Sequence, residues 1–360
     1  MKMDLEIKGL TLDNRFFELS GLIQFCENEI NAGTEPEWKL DVYRFILDFL
    51  NDSKVIIQQT SGTTGARKTI ELPKKSMLVS AKNTIEFFQL KQEDVAALCL
   101  PIQYIAGKMM VVRAFVAGLN LKLIQPSGTP GFSGIGKVDF CAMVPMQAGN
   151  LLKKKIWPEM KILILGGAET GIELLGQLQK LKTRVFETYG MAETCSHVAL
   201  KRLNGQRPEN TFIALPEVQL STDERDCLVI ETSYLPEKII TNDRVEMVSP
   251  NRFRWLGRFD NVINSGGIKI QPETLEKQFL EILQKPCAVI GKPDELLGQK
   301  IVLVVETSQN ENPEQTIKKL APYFDRKLLP KAVYFIKRFP RNKSFKINRK
   351  VLKQRIESFK

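Results

Sequence analysis

Strand-length apolar runs alternate with amphipathic, helix-length stretches over the first two thirds of this 360-residue chain, which predicts an α/β fold with a largely parallel sheet. A second observation is the change of texture after about residue 212, where the runs become shorter. A third is the small α+β pattern that follows residue 257. With a length too great for one ordinary core, these predict a large α/β domain over 1–257 and a small α+β domain over 258–360.

Strands are expected at 54–59 (KVIIQQ), 95–100 (VAALCL), 121–125, 138–144 and 161–165 (KILIL), each short and apolar. Between them, 76–90, 107–118, 146–155 and 170–181 space their apolar residues for helices. In such sheets ligands collect where loops leave the carboxyl ends of the strands. Further strands are expected at 227–232, 238–241 and 252–256. The small domain reads as a helix over 272–283, with Pro272 tolerated in its first turn, strands at 287–290, 300–306 and 332–337, and a helix near 313–323.

Hydrophobic residues make up 43% of the chain and charged residues 26%, which fits a soluble globular protein rather than a disordered one. The opening MKMDLEIKGL has no continuous apolar segment of signal-peptide type, and no apolar stretch reaches the roughly 20 residues a membrane-spanning helix needs. Membrane insertion is therefore not expected. Six scattered cysteines, no C-x-x-C pair and one histidine argue against a zinc cage and for buried thiols in a reducing cytoplasm. The net charge of +11 is partly local: residues 341–360 hold eight basic side chains and one acidic, Glu357. Such a tail suits a solvated basic helix or a nucleic-acid contact, but no zinc-finger, RRM or KH signature accompanies it, so no nucleic-acid partner is expected.

The sharpest local signal is TSGTTGARK, running from Thr60 through Ser61, Gly62, Thr63, Thr64 and Gly65 to Lys68 directly after an expected strand. The glycines let backbone approach a polyphosphate, the hydroxyls donate to it, and Lys68 adds positive charge. It is not a Walker A loop, because G-x-x-x-x-G-K is absent. The same composition also suits a hydroxyl-rich hairpin turn into a strand at 69–72.

This segment resembles the phosphate-binding loop of the adenylate-forming superfamily, which includes acyl-CoA synthetases, peptide-synthetase adenylation domains and luciferases. Further segments resemble that family's motifs in the right order. Gly166, Gly167 and Ala168 match its G-G-A turn, and Tyr189-Gly190-Met191-Ala192-Glu193 its Y-G-x-T-E segment, with alanine at the usual threonine. Thr241-Asn242-Asp243 is similar to T-G-D with asparagine for glycine. Gly257-Arg258-Phe259-Asp260 and Gly266-Gly267-Ile268-Lys269-Ile270 match G-R-x-D and G-x-K-I, and the segment from Pro340 to Arg349 resembles the terminal P-K-T-x-x-G-K-x-x-R motif, with Phe345 at a usual glycine. The phosphate loop usually lies much further from the N-terminus, so an N-terminally shortened version of the fold is expected. Its first ~50 residues supply little of the usual front subdomain, and the acyl pocket is then open or completed by another subunit in a homo-oligomer.

The resemblance implies an ATP-dependent acid–CoA ligase that forms an acyl-AMP, releases pyrophosphate and then makes the thioester. Joining a carboxylate to the α-phosphorus brings two anions together, so positioning and electrostatic stabilisation should dominate. By resemblance, Thr60, Ser61, Gly62, Thr63, Thr64 and Gly65 wrap the phosphates, Thr64 close to the chemistry, and Glu193 holds Mg²⁺. Gly166, Gly167 and Ala168 approach the adenine, and Tyr189, with Gly190 and Met191 beside it, stacks on it. Asp243 accepts from the ribose hydroxyls while Arg258 donates near the α-phosphate. Lys346 is the implied catalytic lysine of the small domain, and Asp260 the hinge about which that domain turns. Gly266, Gly267 and Lys269 then face the acyl group and coenzyme A. Read without the resemblance, Glu193 is a solvated carboxylate, Lys346 one more tail charge and the G-G-A segment a tight turn.

For the acid, Leu100-Pro101-Ile102-Gln103-Tyr104-Ile105-Ala106-Gly107 resembles the acyl-pocket segment, with Tyr104 where histidine or another aromatic is common. Six residues past Gly107, Arg113 interrupts an otherwise apolar helix face. In o-succinylbenzoate–CoA ligases of menaquinone synthesis an arginine at the matching place helps bind the substrate's second carboxylate, and that subfamily is the one most resembled. The other reading of Arg113 is a salt bridge to a structural acid. His197, the sole histidine, reads as a satisfied loop residue. Alternatives at the level of function are a ligase for another acyl or aryl acid, an enzyme that loads a carrier protein, and a degenerate nucleotide- or nucleic-acid-binding module.

Overall fold

The computed structural model describes residues 7–59, 68–309, 311–341 and 347–357. The chain divides into two compact units, Met1–Gln219 with Glu231–Ile239, and Leu220–Ile230 with Ile240–Lys360.

In the first unit the strands lie in the order Phe212–Ala214, His197–Arg202, Arg184–Gly190, Met160–Leu165, Val138–Met143, Val95–Leu98, Asn120–Leu123, Gly9–Leu12, Arg15–Glu18. From Arg184–Gly190 to Gly9–Leu12 every pairing is parallel, and the strands flanking that block pair antiparallel. Parallel strands are covered on both faces, which explains near-continuous apolar runs such as MKILIL. Alternate residues serve different layers. Cys141, Met143, Leu163, Leu165 and Val185 join Ala148 and Leu151 of helix Pro145–Lys153 and Leu178 of helix Ile172–Leu178 in one core. Phe140 and Phe186 meet Phe88 of helix Lys74–Phe88 at ring separations of 5.6 and 5.0 Å. Helix Ile105–Ala117 packs against that helix.

Most expected elements are present with ends moved by one or two residues. Two helices that the apolar runs did not announce, Leu19–Ala32 and Glu37–Leu50, occupy the region before the first expected strand. Both have buried faces, and Phe25 of one meets Tyr43 of the other at 5.4 Å. Val55–Gln59 and Thr69–Pro73 form an antiparallel pair.

The second unit holds the antiparallel pair Ile239–Ser249 and Arg252–Arg258 and a separate small sheet. In that sheet Gly298–Glu306 pairs antiparallel with Cys287–Asp294 and parallel with Ala332–Ile336. Val289, Leu303 and Val305 pack with Leu275 and Phe279 of helix Pro272–Leu283 on one face. On the other, Ala288, Val302 and Val304 pack with Leu352 and Ile356 of helix Arg349–Glu357. The basic tail is thus not simply a solvated helix, since its apolar stripe closes one core of the unit. All six cysteines are buried free thiols.

Candidate active site

The carboxyl ends of the parallel strands lie on one edge of the first unit's sheet, and Gly166, Gly167, Ala168, Tyr189, Gly190, Met191 and Glu193 sit at or just beyond two of those ends. Gly166, Gly167 and Ala168 follow Met160–Leu165. Gly167 has φ +82°, a conformation that favours glycine, and a Cβ on Gly166 would meet the Thr188 hydroxyl at 2.6 Å. Tyr189 and Gly190 end the next strand. Tyr189 is half-buried, with its ring 5.8 Å from that of Phe212. Gly190 pairs with His197 so closely that a Cβ would lie 2.2 Å from the Ser196 carbonyl. Met191 opens a turn held by the Thr194 hydroxyl, which accepts from the Met191 N–H at 2.9 Å and donates to the Ser196 carbonyl at 2.6 Å.

Glu193 is half-buried and lines a cavity of about 180 Å³ with Ile70, Glu71, Leu72, Pro73 and Glu237. The strand that leaves the hydroxyl-rich loop is therefore one wall of the space Glu193 faces. Lys68, at the end of that loop, is exposed. Tyr104 is half-buried and stands immediately before helix Ile105–Ala117, where Gly107 passes so close to Pro101 that a Cβ would lie 2.5 Å from its carbonyl oxygen.

Arg113, on that helix, is 1% exposed. Its Nη2 donates to the Ser196 hydroxyl at 2.7 Å and lies 3.5 Å from His197 Nδ1. Nη1 is 3.8 Å from the Met110 sulfur, and Nε has no partner among the described residues. Phe140 lies under the guanidinium at 5.9 Å. No carboxylate pairs with Arg113 among the described residues, so the structural salt bridge left open by the sequence is not found. Burial pushes its pKa down to about 9. His197 is not a loop residue as expected but the first residue of strand His197–Arg202, buried, with Nε2 3.2 Å from the Thr84 hydroxyl. Its pKa is held well below the ordinary imidazole range, first by burial and then by the charge of Arg113.

In the second unit Asp243 and Arg258 face each other across the pair Ile239–Ser249 and Arg252–Arg258. Asp243 is buried; its Oδ1 accepts from Trp255 Nε1 at 3.1 Å and lies 3.8 Å from Arg258 Nη1. Arg258 Nη2 donates to Asp260 at 2.7 Å. Asn242, at the motif's usual glycine, donates to both Asp260 oxygens at 3.1 and 3.3 Å and accepts from Arg225 at 3.0 Å. Gly266 and Gly267, with φ +58° and +79°, make the exposed turn between Ile263–Ser265 and Ile268–Ile270, the latter carrying Lys269. Thr60, Ser61, Gly62, Thr63, Thr64, Gly65 and Lys346 lie outside the described residues.

Sequence reasoning missed Ser196, His197 and Thr84 as company for Arg113, and Asn242 as the partner of Asp260. Adjacency to the Y-G-x-x-E segment was the one available signal for the first two.

Comparison with known proteins agrees with this layout. A model described as AMP-binding enzyme matches residues 32–221, and one described as AMP-binding enzyme C-terminal domain matches 284–346. Among curated relatives, the 2-succinylbenzoate–CoA ligase of Staphylococcus epidermidis is 24% identical, the match covering 98% of this chain and 76% of that protein. That of Enterococcus faecalis is 28% identical over 82% of this chain and 68% of the relative. A solved acyl-CoA synthetase (AMP-forming)/AMP-acid ligase II-like protein from Dyadobacter fermentans is 32% identical, covers 91% of this chain and 97% of its own, and superposes with a TM-score of 0.59. The o-succinylbenzoate CoA synthetase of Bacillus subtilis, solved with an acyl-adenylate intermediate, shares the fold at a TM-score of 0.76 and 16% identity, covering 98% of this chain and 96% of its own. With both parts of the chain matched and the loops at the sheet edge in the expected places, the chain belongs to the AMP-binding enzyme family of adenylate-forming ligases.

Proposed function

We propose that this protein activates 2-succinylbenzoate with ATP and passes the acyl group to coenzyme A, acting in the cytoplasm on small molecules. The carboxylate oxygen bonds to the α-phosphorus as the bond to the pyrophosphate oxygen breaks. The thiol sulfur then bonds to the acyl carbon as the bond to AMP breaks, and the thiol proton passes to solvent.

The observation that carries the choice of acid is Arg113, a guanidinium 1% exposed, with no carboxylate beside it among the described residues and an unpartnered Nε. An isolated buried charge is costly, and an anion brought by the substrate offsets that cost. The names of the curated relatives support the same acid.

The remaining roles follow the family resemblance. Thr60, Ser61, Gly62, Thr63, Thr64, Gly65 and Lys68 would hold the phosphates. Gly166, Gly167, Ala168 and Tyr189 with Gly190 and Met191 would take the adenine, Asp243 and Arg258 the ribose side, and Tyr104 the acyl group. Magnesium, when bound, withdraws charge from phosphate oxygens, and the Glu193 carboxylate, half-buried in a cavity, is the hard oxygen donor it prefers. Lys346 would stabilise the charge of adenylation, Asp260 would act as the hinge of a small domain over 258–360, and Gly266, Gly267 and Lys269 would serve thioester formation.

Pyrophosphate release measured over a panel of aromatic acids, with and without coenzyme A, tests this. Release should require 2-succinylbenzoate, and thioester should appear only with coenzyme A. Equal KM for 2-succinylbenzoate and a monocarboxylate analogue of it would overturn the role of Arg113.

A further inference from the structure

Arg113 is held from behind by a directional chain of hydrogen bonds whose polarity can be worked out atom by atom. A guanidinium only donates, so the Ser196 oxygen accepts from Arg113 Nη2 at 2.7 Å. The Ser196 hydroxyl hydrogen then has His197 Nδ1 in reach at 3.4 Å, and Nδ1 also faces Nη2 at 3.5 Å. Both neighbours of Nδ1 present hydrogens to it, so Nδ1 must be the bare nitrogen and Nε2 must carry the proton. Nε2–H points at the Thr84 oxygen at 3.2 Å, and the Thr84 hydroxyl donates onward to the Ser80 carbonyl at 3.1 Å.

Among the described residues, the groups facing the imidazole are Arg113 from helix Ile105–Ala117, Thr84 from helix Lys74–Phe88, and Ser196 from the turn before its own strand. None is a carboxylate that would favour an imidazolium. The backbone seat is equally defined, because a Cβ at position 190 would lie 2.4 Å from the His197 Cα, so glycine is needed there.

We propose that His197 is a positioning residue for substrate recognition: as the neutral Nε2–H tautomer, locked by Thr84, it orients the Arg113 guanidinium through Ser196 so that its remaining N–H groups meet the second carboxylate of the acid. This rests on the assignment of Arg113 to that carboxylate. Ser196 is half-buried where Arg113 and His197 are buried, so the hydroxyl is the more exposed end of the chain. An arginine supported in this way keeps its fork aimed without a competing acid that would neutralise it.

Two side chains separate the two halves of the imidazole. Asparagine places its oxygen near the position of Nδ1, and glutamine places its amide nitrogen near that of Nε2. His197→Gln should raise KM for 2-succinylbenzoate about 10-fold or more, with kcat and the KM for ATP held, and His197→Asn should recover most of that loss. Equal effects of the two, the pattern of a packing role, overturn the proposal. Because the chain has one histidine, ¹⁵N-histidine labelling gives a single imidazole to observe in the full-length enzyme. At pH 7 it should show a bare Nδ1 and a protonated Nε2; a protonated Nδ1 overturns the proposal whatever the kinetics. Arg113→Ala serves as the control. If it raises KM while His197→Gln does not, only the role of His197 falls. If Arg113→Ala leaves KM unchanged, or 2-succinylbenzoate is not turned over, the reading of the acid fails and the proposal falls with it. Should His197→Gln not fold, Thr84→Val removes the acceptor that fixes the tautomer and must raise the same KM for the proposal to stand.

Discussion

Replacing Arg113 by methionine should stabilise the unliganded protein and impair it as an enzyme. The guanidinium is 1% exposed, and its acceptors are one hydroxyl at 2.7 Å, a ring nitrogen at 3.5 Å and a thioether at 3.8 Å. Water would satisfy all five of its N–H groups. Burial pushes its pKa down to about 9, well below the ordinary guanidinium range. The sign follows. The unfolded chain holds the proton more tightly than the folded one, so the penalty on folding is complete below pH 9 and is relieved as pH rises through 9. Methionine fills similar length with no charge, and exchanges of buried charge for apolar side chains commonly gain about 1–4 kcal/mol. For a unit of this size each kcal/mol moves Tm by about 2–4 °C. Against that gain, a lost charge-assisted contact of about 1.5–3 kcal/mol raises KM for 2-succinylbenzoate roughly 10- to 150-fold. Arg113→Lys should recover only part, because lysine has no fork. Thermal melts without ligand, beside initial-rate kinetics, decide it. A fall in Tm for Arg113→Met would mean the guanidinium is fully compensated within the fold, and the argument for an external anion would be lost.

A second sign can be checked at His197. An unfolded imidazole takes up its proton near pH 6.5, whereas burial and Arg113 hold the folded one well below that, so stability should fall as pH drops below about 6.5, by up to about 1.4 kcal/mol per unit. Urea titrations at pH 7 and 5.5 should show that loss in the wild type and not in His197→Asn; a flat wild-type profile contradicts the assignment. In the second unit Arg349 grips Glu276 through two contacts of 2.7 Å, so Arg349→Ala should cost up to about 3 kcal/mol by stranding a half-buried carboxylate. The double change Arg349→Met with Glu276→Leu should restore most of it in chemical denaturation, and absence of restoration would show that the ion pair itself matters. Finally, Lys346→Ala should suppress acyl-AMP formation by orders of magnitude while sparing thioester formation from supplied acyl-AMP, and Asp260→Pro should do the reverse; equal losses in both half-reactions would remove both roles.

The site edge was legible wherever its cause is local in the chain. The G-G-A turn shows in the letters because Gly167 needs a positive φ, and Tyr189-Gly190 because no larger residue lets the backbone approach Ser196. The strands behind them are readable because burial on both faces forces runs such as VDFCAM. Helices Leu19–Ala32 and Glu37–Leu50 lacked that signature: neither begins with a side-chain cap, since Glu18 and Pro36 hold those positions. The company of Arg113 was hidden for a different reason. Ser196 and His197 come to it from 83 and 84 positions away, Thr84 reaches it only through His197, and the stacking of two helices on the sheet brings the group together.

The places where the chain departs from the motif letters show how the local structure absorbs such a change. Asn242 stands at a usual glycine, and its side chain bridges Arg225 and Asp260, so the larger residue is absorbed into a polar network that also includes Arg258. Ala192 stands at a usual threonine, and the turn it belongs to is tied by Thr194, whose hydroxyl serves Met191 and Ser196 at once. That second tie reaches the Arg113 cluster. By holding the Ser196 carbonyl at 2.6 Å, Thr194 fixes the backbone from which the Ser196 hydroxyl reaches Arg113. The segment beside Glu193 and the cluster around Arg113 therefore share one turn, Met191 to His197, so a change in that turn should act both on the residue proposed to hold magnesium and on the residue proposed to meet the acid.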